Sequence, residues 1–238
     1  MINAIRYPAR TGCAWRYLPK DFPPWQTLYR YFDRWDRDGT VQRLSDALRE
    51  QLRSPAGRDP TPSAAVLDSQ SVRAADTAPR ATRGWDNGKK VNGRKRHLAV
   101  DTMGLLLAVM VTAASVSDTA AGGQVLWRLR ARFPRLRQVW VDGGYQRGLL
   151  VWALTVLRCV VRVVKKPPGT HAFAVLPRRW VVERTLAWIG KYRRCVRDYE
   201  RTVEHCEAMV GWALIGVMVG RLAGAPATVN EPRQAMPA

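Results

Sequence analysis

Two short apolar runs of this chain each end in an aspartate, and they constrain the fold more than any other feature. Asp68 follows Ala-Ala-Val-Leu, and Asp142 follows Val-Trp-Val and precedes two glycines. Such runs are typical of buried strands. An ionised carboxylate on a buried strand is costly unless something compensates its charge. Two interpretations remain open: each aspartate caps a turn at a strand end, or the two lie together and share a divalent cation.

The rest of the chain predicts a mixed α/β fold, with a sheet that carries helices on its faces. A long polar loop is predicted for residues 73–93. Strands are predicted at residues 64–72, 97–101, 105–113, 138–142 and 159–164, with a hairpin turn at Met103-Gly104. Helices are predicted at residues 119–133, 148–157, 178–201 and 204–222.

An aromatic and Arg-rich region precedes this pattern. Apolar residues at helical spacing predict helices at residues 25–35 and 41–52. We interpret residues 1–53 as a helical, DNA-binding remnant, although aromatic residues that simply form a core are an equally good explanation. Residues 54–63 have the composition of a linker, residues 64–222 form the main domain, and residues 223–238 are expected to be a flexible tail.

The charge of the chain indicates a polyanionic partner. Its 39 Lys and Arg against 19 Asp and Glu give a net charge of +20, which argues against an ordinary acidic metabolic enzyme. The longest apolar stretch, residues 208–219, is too short to span a bilayer, and the amino terminus carries no secretion signal. The four cysteines are scattered, which predicts neither a zinc site nor disulfides and favours a reducing cytoplasm.

A third acid, Glu183, lies on the predicted helix 178–201, four residues after Arg179. A simple ion pair within the helix and a role in a site are both compatible with this spacing. Basic residues cluster at 89–97 and along 162–201, so they flank all three acids. A site that acts on phosphodiesters needs this combination, because cations hold the strands while acids hold metal ions. We therefore predict that Arg94, Lys95, Arg96 and His97 contact DNA.

Four blocks together resemble the DDE transposases of bacterial insertion sequences, over roughly residues 10–220. They are Leu67-Asp68-Ser69-Gln70-Ser71-Val72, the stretch from Gly93 to Leu106, Val141-Asp142-Gly143-Gly144-Tyr145, and Pro177 to Thr185 with Asp198-Tyr199-Glu200. The resemblance implies a ribonuclease H-like fold. It also implies that Asp68, Asp142 and Glu183 form a catalytic triad that holds two Mg²⁺ ions, for which Mn²⁺ can substitute.

The resemblance also implies the partners and the course of the reaction. Water nicks the ends of the element, and the freed 3′-hydroxyl attacks target DNA. Arg179 matches a family arginine that contacts DNA, and Lys191 lies one residue beyond the position of a second basic residue. The expected partners are double-stranded DNA, as terminal inverted repeats and target, and a second copy of the chain. No small-molecule substrate or membrane is expected, and the expected location is the bacterial cytoplasm, at the nucleoid.

Such transposases usually begin with a further helical segment, and this chain is expected to enter partway through that region. This expectation leaves two alternative functions open. One is a regulator that binds element ends without cutting them, and the other is a ribonuclease H-like nuclease that hydrolyses DNA but cannot join it.

Overall fold

A six-stranded mixed sheet lies at the centre of the protein. The computed structural model describes residues 1–165, 176 and 178–224. The strands are β1 (Ala64–Arg73), β2 (Gly84–Asp86), β3 (Val91–Asp101), β4 (Leu106–Ala113), β5 (Gln138–Val141) and β6 (Val160–Val163). Their order is β2-β3-β1-β5-β6, and β4 also pairs with β3. The pairs β1–β3, β2–β3 and β3–β4 are antiparallel, whereas β1–β5 and β5–β6 are parallel.

Helices cover both faces of this sheet. They are α1 (Ile2–Thr11), α2 (Trp25–Arg37), α3 (Thr40–Arg53), α4 (Asp118–Arg132), α5 (Arg147–Thr155), α6 (Arg179–Gly190), α7 (Arg193–Val196) and α8 (Val203–Leu222). One core lies between the sheet and α4 with α5. The other lies between the sheet and α6, α8 and the amino-terminal helices. The predicted mixed sheet with flanking helices is confirmed, and it is consistent with a ribonuclease H-like fold.

Two predicted segments differ from the structure. The predicted loop 73–93 contains a 3₁₀ turn and β2, and β3 begins at Val91, six residues earlier than predicted. The predicted helix 178–201 is wrong as a single element, because α6 ends at Gly190 and α7 ends at Val196. The chain then runs extended to pair with the end of β1 through the bridge between Ala74 and Asp198. Tertiary pairing to the sheet replaces the local helical preference there.

The amino-terminal helices are part of the same core as the sheet. Ile5 and Phe32 are fully buried and pack in one cluster with Val210 of α8. A buried ion pair joins Arg53 at the end of α3 to Asp101 at the end of β3. Residues 1–53 therefore do not form a separate body, although helices at the two predicted positions are confirmed. Residues 54–63 contain no helix or strand, and most of the predicted tail, residues 225–238, lies outside the described residues.

Helix α8 is apolar and 20 residues long, enough to cross a membrane by length and composition. It is instead the central core helix, because 67% of its apolar window is buried inside the protein. Its amino-terminal end is fixed to α2, since His205 Nε2 lies 3.0 Å from Asp33 Oδ1. A buried helix with this role passes any test for membrane spans that considers length and hydropathy alone.

Glu207, on the first turns of α8, makes the stability of this core depend on pH. Burial raises its pKa from the usual 4.5 to about 7, although the backbone N–H of Val111 donates to Oε1 at 2.8 Å and Arg128 lies 3.9 Å away. The nearby acids Glu204 and Asp36 also raise this pKa. The folded protein therefore binds a proton that the unfolded chain releases at lower pH.

The free energy of unfolding is accordingly expected to fall as pH rises from 4.5 to about 7, and to lose no more from this group above that range. Glu207→Gln keeps the oxygen that accepts from Val111 and removes the charge. We expect this variant to be about 1 to 3 kcal/mol more stable than the parent protein at pH 8 and no more stable at pH 4. Denaturant unfolding at both pH values measures the difference. The exposed Glu50→Gln is the control, and an equal gain in both variants would contradict the assignment.

Candidate active site

Asp68 and Asp142 lie at matching positions on two neighbouring strands. Strands β1 and β5 run parallel, with Val66 paired to Trp140. The same register, continued by two residues, places Asp68 beside Asp142, immediately after β5 ends. Side chains alternate along a strand, so both carboxylates leave the sheet on the face that also carries Val66 and Trp140. Neighbouring strands are about 4.8 Å apart, which makes the two acids direct neighbours.

The carboxylate of Asp68 is poorly solvated. The residue is 8% exposed, and burial raises its pKa to about 6. The charge of Asp142 contributes to this rise, whereas the backbone N–H of Ser69, which donates at 2.7 Å, and the charges of Arg179 and Lys89 oppose it. The negative charge of ionised Asp68 is therefore stabilised less than that of an ordinary exposed carboxylate. A cation placed between the two acids would stabilise it.

The loop after β5 is held against the start of α4, and this contact fixes Asp142. The backbone N–H of Gly144 donates to Asp142 Oδ1 at 2.9 Å. The Thr119 hydroxyl donates to the Gly144 carbonyl at 3.2 Å and accepts from the N–H of Gln146 at 3.0 Å. A side chain at position 144 would place its Cβ 3.1 Å from both Asp142 Oδ1 and Asp118 Oδ2, so the close approach favours glycine.

Helix α6 is positioned over the same face by two contacts. The buried hydroxyl of Thr185 donates at 3.0 Å to the carbonyl of Gly104, in the turn between β3 and β4. Gly104 has φ +80°, and a Cβ there would lie 2.8 Å from the Thr185 hydroxyl. At the start of the helix, the Arg178 guanidinium lies 4.3 Å from the centre of the Trp140 ring. Arg178 has φ 75°, a strained conformation for a residue with a side chain.

This placement brings Glu183 to Asp68 through the guanidinium of Arg179. Arg179 Nη2 lies 3.7 Å from Asp68 Oδ2 and 3.3 Å from Glu183 Oε1. The Glu183 side chain is 40% exposed, so it lies at the open rim of the site. The ion pair predicted within the helix and the proximity to Asp68 therefore occur together, and one arginine bridges two of the three acids.

In the observed arrangement, two of the three acids are placed to bind a divalent cation and the third is not. Among the residues that the structure describes, no three Asp, Glu, His or Cys side chains are grouped closely enough to hold a metal ion. Asp68 and Asp142 supply adjacent carboxylate oxygens, the ligands that Mg²⁺ prefers, and their negative charge is incompletely neutralised by the surrounding protein. Glu183 is separated from Asp68 by the cationic group of Arg179, which lies between the two carboxylates where a bridging ion would be bound.

The structure corrects the prediction that Arg94, Lys95, Arg96 and His97 contact DNA. All four lie in β3 and are buried, with exposed fractions between 0% and 7%. Arg94 Nη1 lies 3.0 Å from Asp198 Oδ2, and Arg96 Nη1 donates to the carbonyl of Cys195 at 2.6 Å. A DNA phosphate cannot reach these groups, because β3 is the second strand of the sheet and is covered on both faces.

The other two residues of the run face the α4 side of the sheet. Lys95 Nζ lies 3.3 Å from Asp118 Oδ1 and 3.7 Å from Asp86 Oδ2. His97 Nε2 lies 3.0 Å from the Thr112 hydroxyl, and burial lowers the pKa of this histidine to about 4. The ring is therefore neutral near pH 7, and these two residues, like the two arginines, have a structural role.

Lys191 lies outside the group of acids. It is exposed just after the last residue of α6, eight residues from Glu183, or about 12 Å along the helix. Its carbonyl accepts a hydrogen bond from Arg10 of α1 at 3.4 Å. Of the residues predicted to contact DNA, Arg179 alone lies among the three acids.

Two residues near the site were not singled out from the sequence. Lys89, in the turn between β2 and β3, donates from Nζ to the carbonyl of Ser69 at 3.1 Å. Tyr145 is 3% exposed, and its hydroxyl has no hydrogen-bond partner among the described residues. Burial raises the pKa of Tyr145 well above its usual value, and the charges of Asp118, Asp68 and Asp142 add to the effect. The tyrosine follows the Asp142-Gly-Gly segment directly, a signal that the sequence did contain.

Comparisons with known proteins point to one family. Residues 59–215 match the family described as transposase DDE domain, and residues 1–45 match the family described as putative transposase of the IS4/5 family. The chain is also similar to a putative transposase for insertion sequence element IS402 from Burkholderia cepacia, with 31% identity over 149 residues. That match covers 58% of this chain and 66% of the relative, just under two thirds of the relative's length. The DDE domain match spans most of the chain, so this protein belongs to the DDE transposases of insertion sequences.

Proposed function

We propose that this protein cuts DNA at the ends of an insertion sequence and joins the freed 3′ ends to target DNA. The observation that supports this most directly is the pairing of Asp68 with Asp142 on adjacent parallel strands, with Glu183 brought to the same face by α6. Two neighbouring carboxylates, with a third joined to them through Arg179, supply the oxygen donors that phosphodiester chemistry with divalent metals uses, once the arginine moves aside.

Asp68, Asp142 and Glu183 are the residues that we propose to hold the metal. The family generally uses divalent metals, and we propose two Mg²⁺ ions, replaceable by Mn²⁺. When bound, such ions activate a hydroxyl nucleophile and stabilise the leaving oxygen. The bridging position of Arg179 implies that its guanidinium moves when Glu183 becomes a ligand. Released from the two acids, it is placed to bind a DNA phosphate beside the site.

The protein's own cations are proposed to hold the DNA. Lys89 and Arg179 both lie close enough to Asp68 to lower its pKa, so each is adjacent to the proposed reacting phosphate. Lys191 remains a proposed contact farther along α6. The partners that we propose are the terminal inverted repeats, target DNA and a second copy of the chain, since two ends must be brought together. We propose action in the cytoplasm, at the nucleoid.

A strand-transfer assay on paired terminal repeats tests this function. With Mg²⁺ or Mn²⁺, we expect nicked element ends and joined products, and neither product in EDTA. Both an uncut and a pre-cleaved end are used, because the second isolates joining from cleavage. Binding in EDTA with no cleavage in Mg²⁺ would support the regulator alternative. Cleavage with no joining of pre-cleaved ends would support the nuclease alternative, and either outcome would overturn the proposal.

A further inference from the structure

A basic pocket of about 410 Å³ lies beside the outer end of β1, away from the acids. We refer to it as the Trp85 pocket, and its lining includes Arg73, Asp76, Arg83, Trp85, Lys90 and Asn92. Three of these residues are cations and one is an acid. The Asp76 side chain is fully exposed to solvent, 3.9 Å from Arg83, so it neutralises little of the local charge. The pocket therefore has a net positive potential around an aromatic ring.

Trp85 is presented by a short strand that is firmly held. Its neighbour Asp86 is buried and accepts hydrogen bonds from the Ser71 hydroxyl and from the N–H groups of Gly88 and Lys89. These bonds fix the turn between β2 and β3. The Trp85 side chain remains 48% exposed, although tryptophan buries well wherever a core is available. A rigid strand thus holds an exposed indole at the mouth of the pocket.

The pocket matches the chemistry of an unpaired nucleotide. An exposed indole provides a stacking surface for a base, and this interaction tolerates any base because each has a π face. Arg73, Arg83 and Lys90 offer charge to the phosphate. Asn92, directly opposite Trp85 in the β2–β3 pair, offers an amide to a base edge. Paired bases are stacked inside a duplex and cannot present a face to Trp85.

The turn between β2 and β3 connects the pocket to the acids. The turn that carries Lys90 also carries Lys89, whose Nζ bonds to the carbonyl of Ser69, next to Asp68. Asp68 pairs with Leu98 on β3, and Asn92 lies six residues away on the same strand. Six strand residues place the two positions about 20 Å apart. This distance corresponds to about six stacked nucleotides.

We propose that the Trp85 pocket binds an unpaired nucleotide of the DNA strand that passes the acids, with its base stacked on Trp85. This inference rests on the proposed action on DNA, and it adds a second contact that recognises single-stranded character rather than sequence. It predicts that the protein prefers DNA that is unpaired about six nucleotides from the scissile phosphate over fully paired DNA.

Fluorescence anisotropy in EDTA tests this inference without any catalysis. The probes are a blunt duplex and the same duplex with a 3′ or a 5′ tail of about eight nucleotides. Trp85→Ala is expected to weaken binding of one tailed probe by about 5- to 100-fold and binding of the blunt duplex by less than about threefold. Trp85→Phe retains a stacking ring and is expected to recover most of the affinity, which excludes simple loss of folding.

Trp127 provides the matched control, because it is 58% exposed on α4 and outside the pocket. Trp127→Ala is expected to bind every probe as the parent protein does. A single abasic site moved along the tail should weaken the parent protein at one position and leave Trp85→Ala unaffected there. Equal affinity of the parent and Trp85→Ala for both tails, or equal losses on blunt and tailed probes, would overturn the inference. Absence of strand transfer with this binding pattern intact would overturn only the proposed function.

Discussion

Asp68→Asn and Asp142→Asn are each expected to reduce strand transfer by about a thousandfold or more, with the fold intact. Each change keeps the size of the side chain and removes one charged oxygen donor of the proposed metal pair. Neither position can replace the other, since the two carboxylates come from neighbouring segments of the chain and are proposed to bind the metal together. The assay is joining of pre-cleaved ends in Mg²⁺, with Mn²⁺ as a second condition.

Thermal unfolding separates this effect from loss of structure. Burial raises the pKa of Asp68 to about 6, so its ionised form is unfavourable in the folded protein at neutral pH. Asp68→Asn is therefore expected to unfold at the same temperature as the parent protein or at a higher one. Asp21→Asn makes the same chemical change at an exposed position and is expected to keep full activity. Strand transfer above about a tenth of the parental rate in Asp68→Asn would contradict the proposed role.

The acid pair and its strands could be predicted because the signal is local. The apolar runs before Asp68 and Asp142 predict strands without any information from elsewhere in the chain, although only Asp142 follows the end of its strand, since β1 continues past Asp68 to Arg73. The parallel register of β1 and β5, with Val66 paired to Trp140, then makes the two acids neighbours. Most elements accordingly begin and end within a few residues of their predicted positions.

The bridging role of Arg179 could be predicted only in part. The spacing of Arg179 and Glu183 predicts a pair within the helix, which the structure contains. The third member, Asp68, lies more than a hundred residues earlier, and its approach depends on where α6 packs. That placement depends on Thr185 and the turn at Gly104, a contact between two segments with no shared sequence pattern.

The burial of the basic residues 94–97 could not be predicted from the sequence. Consecutive charged residues favour solvent exposure when no partners are known. In the folded protein their partners are Asp198, Cys195, Asp118 and Thr112, each at a different distance along the chain. The same contacts explain why the predicted long helix breaks, because the segment that carries Asp198 is extended so that it can pair with β1 and bind Arg94.

Replacement of Arg94 is therefore expected to cause a large loss of stability. The side chain is fully buried and lies 3.0 Å from Asp198 Oδ2, and it donates to the carbonyls of Glu200 and Arg201 at 2.8 and 3.0 Å. Arg94→Met leaves Asp198 buried and unpaired. The expected cost is about 3 to 5 kcal/mol, or roughly 10 °C in Tm. Arg94→Lys should recover little, because one ammonium cannot reach these acceptors together.

A double variant and an exposed ion pair make this prediction specific. Asp198→Asn retains the oxygen that accepts from the N–H of Glu200 at 3.0 Å and removes the buried charge. Combined with Arg94→Met, it is expected to restore at least about 1 kcal/mol of the loss, a coupling that a double-mutant cycle measures. Arg37 forms an ion pair with Asp33 at 2.8 Å but is 77% exposed, so Arg37→Met should cost less than about 1 kcal/mol. If Arg94→Met instead unfolded like the parent protein and lost DNA affinity, Arg94 would be a DNA contact and the structural role assigned to it would be wrong.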